Sequence, residues 1–262
     1  MIQIEQIKNY FPAQIRENAI FDKHILKEYL QLMVMDYLSS SPYIQQITFI
    51  GGTCLRLVKG IDRFSEDLDF DCKGFSKEAF IEMTDGVVQF LERSGFRVET
   101  RDKDNPKLTA FRRNIHFPEL LFDLRLSGHK DERFLIKVES QDQGVNYDPV
   151  IVDIKGCGFF FPFPVPSDGV LCSMKIAATL ARAKGRDFYD LMFLLAQANP
   201  DYDFLTKRCG ISNLEEFKKE TAKLLQTVDL TKKQRDFEHL LFNKTNSGKI
   251  LRFGDFVRSL AE

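Results

Sequence analysis

The chain of 262 residues has no tryptophan, only four histidines and only five cysteines. Cys54, Cys72, Cys157, Cys172 and Cys209 are scattered, and none forms a CxxC pair. Neither a zinc site nor a disulfide framework is therefore indicated, and a reducing cytoplasm is the expected location. His24, His116, His129 and His239 show no ligand spacing and read as structural or surface residues. No apolar run approaches the ~20 residues that a membrane-spanning helix needs, so no membrane partner is expected. The first residues lack the basic start, apolar centre and small-residue cleavage site of a signal peptide. Neither sign of charge dominates: 37 Lys and Arg stand against 38 Asp and Glu, for a net charge of -1. Attraction of the whole molecule to nucleic acid is excluded, and any basic face must be local. Internal repeats and low-complexity tracts are also missing.

What is present is an ordinary globular composition, 44% hydrophobic and 29% charged, with enough chain for one large domain or two modest ones. Residues 1 to 20 give weak signals, with a break at Pro12. From Asp22, the residues Ile25, Leu26, Tyr29, Leu30, Met33, Val34 and Tyr37 repeat at the three-and-four spacing of a helix face, ending before Pro42. Ile47 to Ile50 reads as a buried strand. Ser76 caps a helix to about Ser94, which Gly86 weakens. Strands are expected over Gly95–Thr100, Lys107–Phe117, Glu119–Leu126 and Arg133–Ser140, with a hairpin tip at Ser127–Asp131 and a further strand over Pro149–Ile154. Residues 156–166 hold three prolines and two glycines. They read as an extended crossover and a domain boundary. Beyond it the pattern is helical: Ser167–Ala183, Arg186–Ala198, Asn213–Thr227, Lys232–Phe242 and Lys249–Leu260. The expected architecture is α+β: a mixed, largely antiparallel sheet with flanking helices over 1–155, the crossover over 156–166, and an all-helical domain over 167–262.

The chemistry concentrates in Phe49 to Asp71. Gly51-Gly52-Thr53 follows a strand and opens a helix. Missing side chains there let a phosphate approach the exposed N–H groups of the helix start. Thr53 adds a hydroxyl, and Arg56 lies one turn on, where it could reach a phosphate. Asp67 and Asp69 are alternate residues of the next strand, so they share a face about 6.5–7 Å apart. Carboxylates at that separation can hold a pair of Mg²⁺ ions. Leu68 and Phe70 would face the core, and Asp71 would be solvated at the strand end. A third carboxylate is expected from a neighbouring strand: Glu139, which shares a face with Lys137, is the first candidate and Asp123 the rival. Arg101, Lys103, Lys107, Arg112 and Arg113 form a basic group on two adjacent strands that could touch an RNA backbone. Lys232, Lys233 and Arg235 form a second.

Gly-Gly-Thr-x-Leu-Arg followed by Arg63-Phe-Ser-Glu-Asp-Leu-Asp-Phe70 resembles the DNA polymerase β-like nucleotidyltransferase superfamily, and within it the AbiEii/AbiGii toxin group. Ser173-Met-Lys175 and Lys184-Gly-Arg186-Asp187-Phe-Tyr-Asp190-Leu resemble that group's helix lysine and its Arg-Asp-x-x-Asp segment. The likeness spans about Phe49 to Leu195. It implies a polymerase β-like sheet and metal-dependent transfer of a nucleotide from a nucleoside triphosphate to an acceptor. For related toxins the acceptor is RNA, notably the tRNA 3′ end. By the same resemblance Asp67 and Asp69 bind metal with Glu139 completing the site. Lys175 is implied to contact the triphosphate, joining Gly51, Gly52, Thr53 and Arg56 of the glycine turn as the expected nucleotide-binding residues, and Asp190, with Asp187, to support catalysis. Lys175 and Asp190 are then expected to converge on the Asp67–Asp69 face. A toxin of this kind implies phage defence and a separately encoded antitoxin, either a DNA-binding regulator or a kinase acting at Thr53 or Ser65. Rival readings are transfer to an aminoglycoside-like small molecule or to a protein, and a non-catalytic binding module that keeps the fold.

Overall fold

A computed structural model describes residues 2–101 and 110–261. The chain forms two compact units. The first comprises Met1–Lys59, Phe64–Gln143 and Ile151–Val165, and the second Gly60–Arg63, Gly144–Val150 and Pro166–Glu262.

In the first unit the order is α1 (Ile4–Lys8), α2 (Ala13–Arg16), α3 (Asp22–Ser39), β1 (Ile47–Ile50), α4 (Gly51–Lys59), β2 (Asp67–Cys72), α5 (Lys77–Arg93), β3 (Glu99–Thr100), β4 (Phe111–His116), α6 (Leu120–Asp123), β5 (Leu135–Ser140), β6 (Val150–Gly156) and β7 (Phe159–Val165). Five strands form one sheet in the order β1-β2-β5-β4-β3. Only β2 and β5 run parallel; the other pairs are antiparallel. This is the mixed sheet expected of the fold. One sheet face is the core: Phe49, Leu68, Phe70, Ile115, Ile136 and Val138 are buried. Their period of two puts the intervening residues, Asp67, Asp69, Lys137 and Glu139 among them, on the opposite face. Helix α3 supplies Ile25, Leu26, Leu30 and Val34 to this core. Each such side chain contributes about 1.5–3 kcal/mol on burial.

The stretch expected as a crossover, 156–166, is mostly strand β7, paired with β6 in a two-stranded ribbon. Phe161, Phe163 and Val165 turn inward, and the Phe163 ring lies 6.0 Å from those of both Phe49 and Phe70. A ribbon leaves one edge of β7 unpaired, where a proline removes no ladder bond. The strand expected over 119–126 does not form. Helix α6 stands there, flanked by Glu119 and Arg125 with φ of 57° and 59°. Strands β4 and β5 pair with each other directly, so the chain between them must reverse, and a helical turn does so. Asp123 thus lies on a helix and not in the sheet. Of Gly95–Thr100 only the last two residues pair. Residues 1–20, weak in pattern, carry α1 and α2.

In the second unit the helices are α7 (Asp168–Arg182), α8 (Gly185–Leu195), α9 (Tyr202–Cys209), α10 (Leu214–Leu225), α11 (Leu230–Arg235) and α12 (Phe253–Arg258). Ser167, Asp201, Asn213 and Asp229 cap four of them through side-chain oxygens. Glu216 donates its backbone N–H to Asn213 Oδ1 at 2.9 Å while its carboxylate accepts from the Ser212 N–H at 2.7 Å, a capping box displaced by one residue. The helix expected over 232–242 ends at Arg235, and the chain continues through a 3₁₀ turn that buries Leu240. The helix expected from 249 begins only at Phe253, after a 3₁₀ stretch. Helix α9 has no counterpart in the sequence pattern. Among the described residues, no helix is long and apolar enough to cross a membrane.

Candidate active site

Strand register builds an acid face in the first unit. Asp67 stands opposite Lys137, and Asp69 opposite Glu139. On the next strand Arg112 stands opposite Glu139, and Asn114 opposite Lys137. All six share the face away from the core, because directly opposed residues of neighbouring strands point the same way. The Lys137 ammonium lies 2.8 Å from Asp67 Oδ2 and 3.3 Å from Glu139 Oε1. Arg112 donates to Glu139 as well. Burial pulls the Lys137 pKa down, but its bonds to Asp67 and Glu139 outweigh that and hold it above the ordinary value. Asp71 continues the same parity but is buried, not solvated as expected. Its carboxylate accepts the Gln143 N–H at 2.9 Å.

The glycine turn meets this face. Gly51 is the first residue of α4 and has φ of 78°, a left-handed conformation that favours glycine. A Cβ at this position would fall 2.8 Å from Asp69 Cβ and 2.9 Å from Asp69 Cγ. The start of α4 therefore packs on the Asp69 side chain at a distance that no other residue permits. Thr53 and Arg56 face elsewhere. Thr53 is fully buried, and its hydroxyl donates to the Asp67 carbonyl, tying α4 to β2. Arg56 is held by Glu28 of α3 through Nε at 2.8 Å and Nη2 at 3.0 Å. Ser65 is buried too.

In the second unit Lys175, Asp187 and Asp190 come together. Helix α7 carries Lys175, and α8 carries the two aspartates three residues apart on one face. Lys175 Nζ lies 2.9 Å from Asp190 Oδ2 and 3.6 Å from Asp187 Oδ1. Arg63 is fully buried and donates to Asp190 through Nε at 2.6 Å and Nη2 at 2.7 Å. Arg182 grips Asp187 through two bonds of 2.8 Å. Burial would raise both aspartates, yet the surrounding cations win. Lys175 and Arg182 bring Asp187 down to about 2, and Arg63 with Lys175 holds Asp190 below the carboxylate range. The helix pair is thus a buried carboxylate–cation network in which Asp190 orients the Lys175 ammonium.

Sequence pattern did not show Lys137, Arg112 and Glu28 as ion-pair partners in the first unit, or Arg63 as one in the second. Alternation put Lys137 on the Glu139 face, but only strand pairing sets it against Asp67. Arg63 sits inside the Arg63-Phe-Ser stretch, with no signal that it is buried. Among its described residues, the basic group on adjacent strands is divided. Arg112 and Arg113 point to opposite faces of β4, and Arg113 reaches Asp85. Lys103 and Lys107 lie outside the described residues.

A mixed sheet with paired strand acids and a glycine-started helix against them defines the nucleotidyltransferase class. The family model described as nucleotidyl transferase AbiEii toxin, type IV toxin–antitoxin system, matches residues 33–246, and the chain belongs to this family. It is a nucleotidyltransferase of the toxin type. Solved structures share the fold at low identity. MenT4, a nucleotidyltransferase toxin from Mycobacterium tuberculosis, superposes with a TM-score of 0.61 at 16% identity, covering 100% of this chain and 91% of its own. A putative nucleotidyltransferase from Helicobacter pylori gives 0.56 at 20% identity, covering 89% and 92%. JHP933 from Helicobacter pylori gives 0.53 at 19% identity, covering 90% of each chain. No match was found among curated proteins.

Proposed function

We propose that this enzyme transfers a nucleotide from a magnesium-bound nucleoside triphosphate to an RNA acceptor, the tRNA 3′ end being the expected one, in the cytoplasm and under the control of a separately encoded antitoxin. One observation carries the reading: Asp67 and Asp69 share a face, and the start of α4 approaches Asp69 so closely that residue 51 has no room for a Cβ. Two acids beside a helix start support a metal site next to a phosphate site.

The donor set fits magnesium, which takes one or two carboxylates and fills its other positions with phosphate oxygens and water. Among the described residues no group of three or more His, Cys, Asp or Glu side chains is arranged as a metal site. Asp67 and Asp69 are the residues that would hold the ion, with Glu139 joining them only if it leaves Lys137 and Arg112; bound there, the ion neutralises triphosphate charge. Gly51 and Gly52 leave the start of α4 bare, so its unpaired N–H groups donate to phosphate oxygens. Thr53 keeps α4 in register with β2 in this reading, and Arg56 reaches a phosphate only by leaving Glu28. Lys175 meets the triphosphate, and Asp190 and Asp187 position its ammonium. The acceptor hydroxyl attacks the α-phosphorus and pyrophosphate leaves, a reaction governed by positioning and charge.

The test is incubation with total RNA, magnesium and each labelled nucleoside triphosphate, comparing the wild type with Asp69→Ala and Lys175→Met. RNA should be labelled by the wild type alone. Equal labelling by wild type and Asp69→Ala would refute the assignment of the acid face. Full labelling by Lys175→Met would remove Lys175 from the nucleotide site.

A further inference from the structure

We propose that Lys137 is a built-in cation of the acid face, holding Asp67 and Glu139 together in the metal-free protein and competing with a divalent metal for Asp67. This rests on the reading of Asp67 and Asp69 as metal ligands. Three carboxylates, Asp67, Asp69 and Glu139, stand on two adjacent parallel strands. Lys137 lies 2.8 Å from Asp67 and Arg112 donates to Glu139, with Lys27 of α3 close enough to act on Asp67 through charge alone. Lys137 also lies 3.3 Å from Glu139, so its ammonium bridges the two strands where a metal ion would otherwise supply the charge. The bridge is only part-exposed, with Lys137 at 23% and Asp67 at 19%. Charges there are screened less than on an open surface.

Two consequences follow from one contact. Without Lys137 the carboxylates repel one another across the strands. With it, a divalent ion must draw Asp67 away from an ammonium before binding. Free metal therefore binds weakly. A metal already carrying a triphosphate brings phosphate oxygens that can receive the released ammonium. Lys137 thus favours the metal–nucleotide complex over the bare ion, as a positioning residue that acts through Asp67.

The experiment measures Mn²⁺ binding to the nucleotide-free protein by titration calorimetry and by the paramagnetic signal of free Mn²⁺. Wild type, Lys137→Met, Lys137→Gln, Lys137→Arg and Asp69→Asn are compared. Both neutral variants should bind Mn²⁺ on the order of tenfold more tightly than the wild type, as expected for removing one charge near a divalent ion. Lys137→Arg should stay near the wild type. If Lys137→Met and Lys137→Gln bind no more tightly while Asp69→Asn abolishes binding, the competition is refuted and the metal site stands. If Asp69→Asn binds as the wild type does, the metal is not on this face, and both readings fail.

Discussion

Replacing Arg63 by Met tests the buried network around Asp190 most directly. The guanidinium and the carboxylate are 1% and 0% exposed and share bonds of 2.6 and 2.7 Å. Removing one partner of such a pair costs about 3–5 kcal/mol, because the other charge is left buried and less compensated. Here Lys175 stays 2.9 Å from Asp190, so the carboxylate keeps one cation. Met retains much of the side-chain volume, which limits any cavity. The expected loss is therefore near the lower bound, about 3 kcal/mol, a large share of the ~5–15 kcal/mol that holds a domain together. Arg63→Met combined with Asp190→Leu removes both members of the pair. Lys175 then retains Asp187 at 3.6 Å. The double variant should lose less than the sum of the single variants, by up to ~3 kcal/mol. Urea unfolding followed by circular dichroism measures all four proteins at pH 7. An Arg63→Met loss below about 1 kcal/mol, or simple additivity in the cycle, would refute the description of Arg63 as a buried counter-ion.

Two further outcomes are expected. Asp187 is fully buried with its folded pKa at about 2 against an ordinary 3.8, so its ionised form stabilises the fold above pH 3.8 and that contribution is lost as pH falls toward 2. The amount is roughly 2 kcal/mol; urea midpoints between pH 5 and pH 2 should fall steeply in the wild type and less so in Asp187→Asn, and an identical slope in the two would contradict the assignment. Gly51→Ala adds a Cβ against Asp69 in a left-handed backbone, so stability should drop by about 2 kcal/mol and RNA labelling should be lost. An alanine variant as stable and active as the wild type would mean that the close approach of α4 to Asp69 is not needed.

Much of the candidate site's local geometry was legible from sequence pattern. Gly51-Gly52 after an apolar strand, and Asp67-Leu68-Asp69 with its alternating core residues, need only strand and helix periodicity to place them. The same periodicity misled at Leu120-Leu-Phe-Asp123. A short apolar run does not distinguish a strand from a helical turn when the chain must reverse between two paired strands. It also misled at Asp71, where backbone of a distant segment supplies the hydrogen bond that makes burial tolerable. The 156–166 stretch reads as a non-helical segment from its prolines, but its pairing with β6 is a contact that local pattern does not carry.

The sequence by itself determined the strand–glycine turn–strand core of the first unit and the helical character of the second, the parity that separates Asp67, Asp69 and Glu139 from the core, and the family motifs from Gly51 to Asp190. These rest on interactions within a few residues or on fixed periods of backbone geometry. Only tertiary structure decided the partners. Strand pairing set Lys137 against Asp67 and Arg112 against Glu139, and helix packing closed Arg63, Lys175 and Arg182 around the two aspartates. An ion pair depends on distance and exclusion of water, and residues such as Arg63 and Asp190, far apart in the chain, acquire both only when the fold closes.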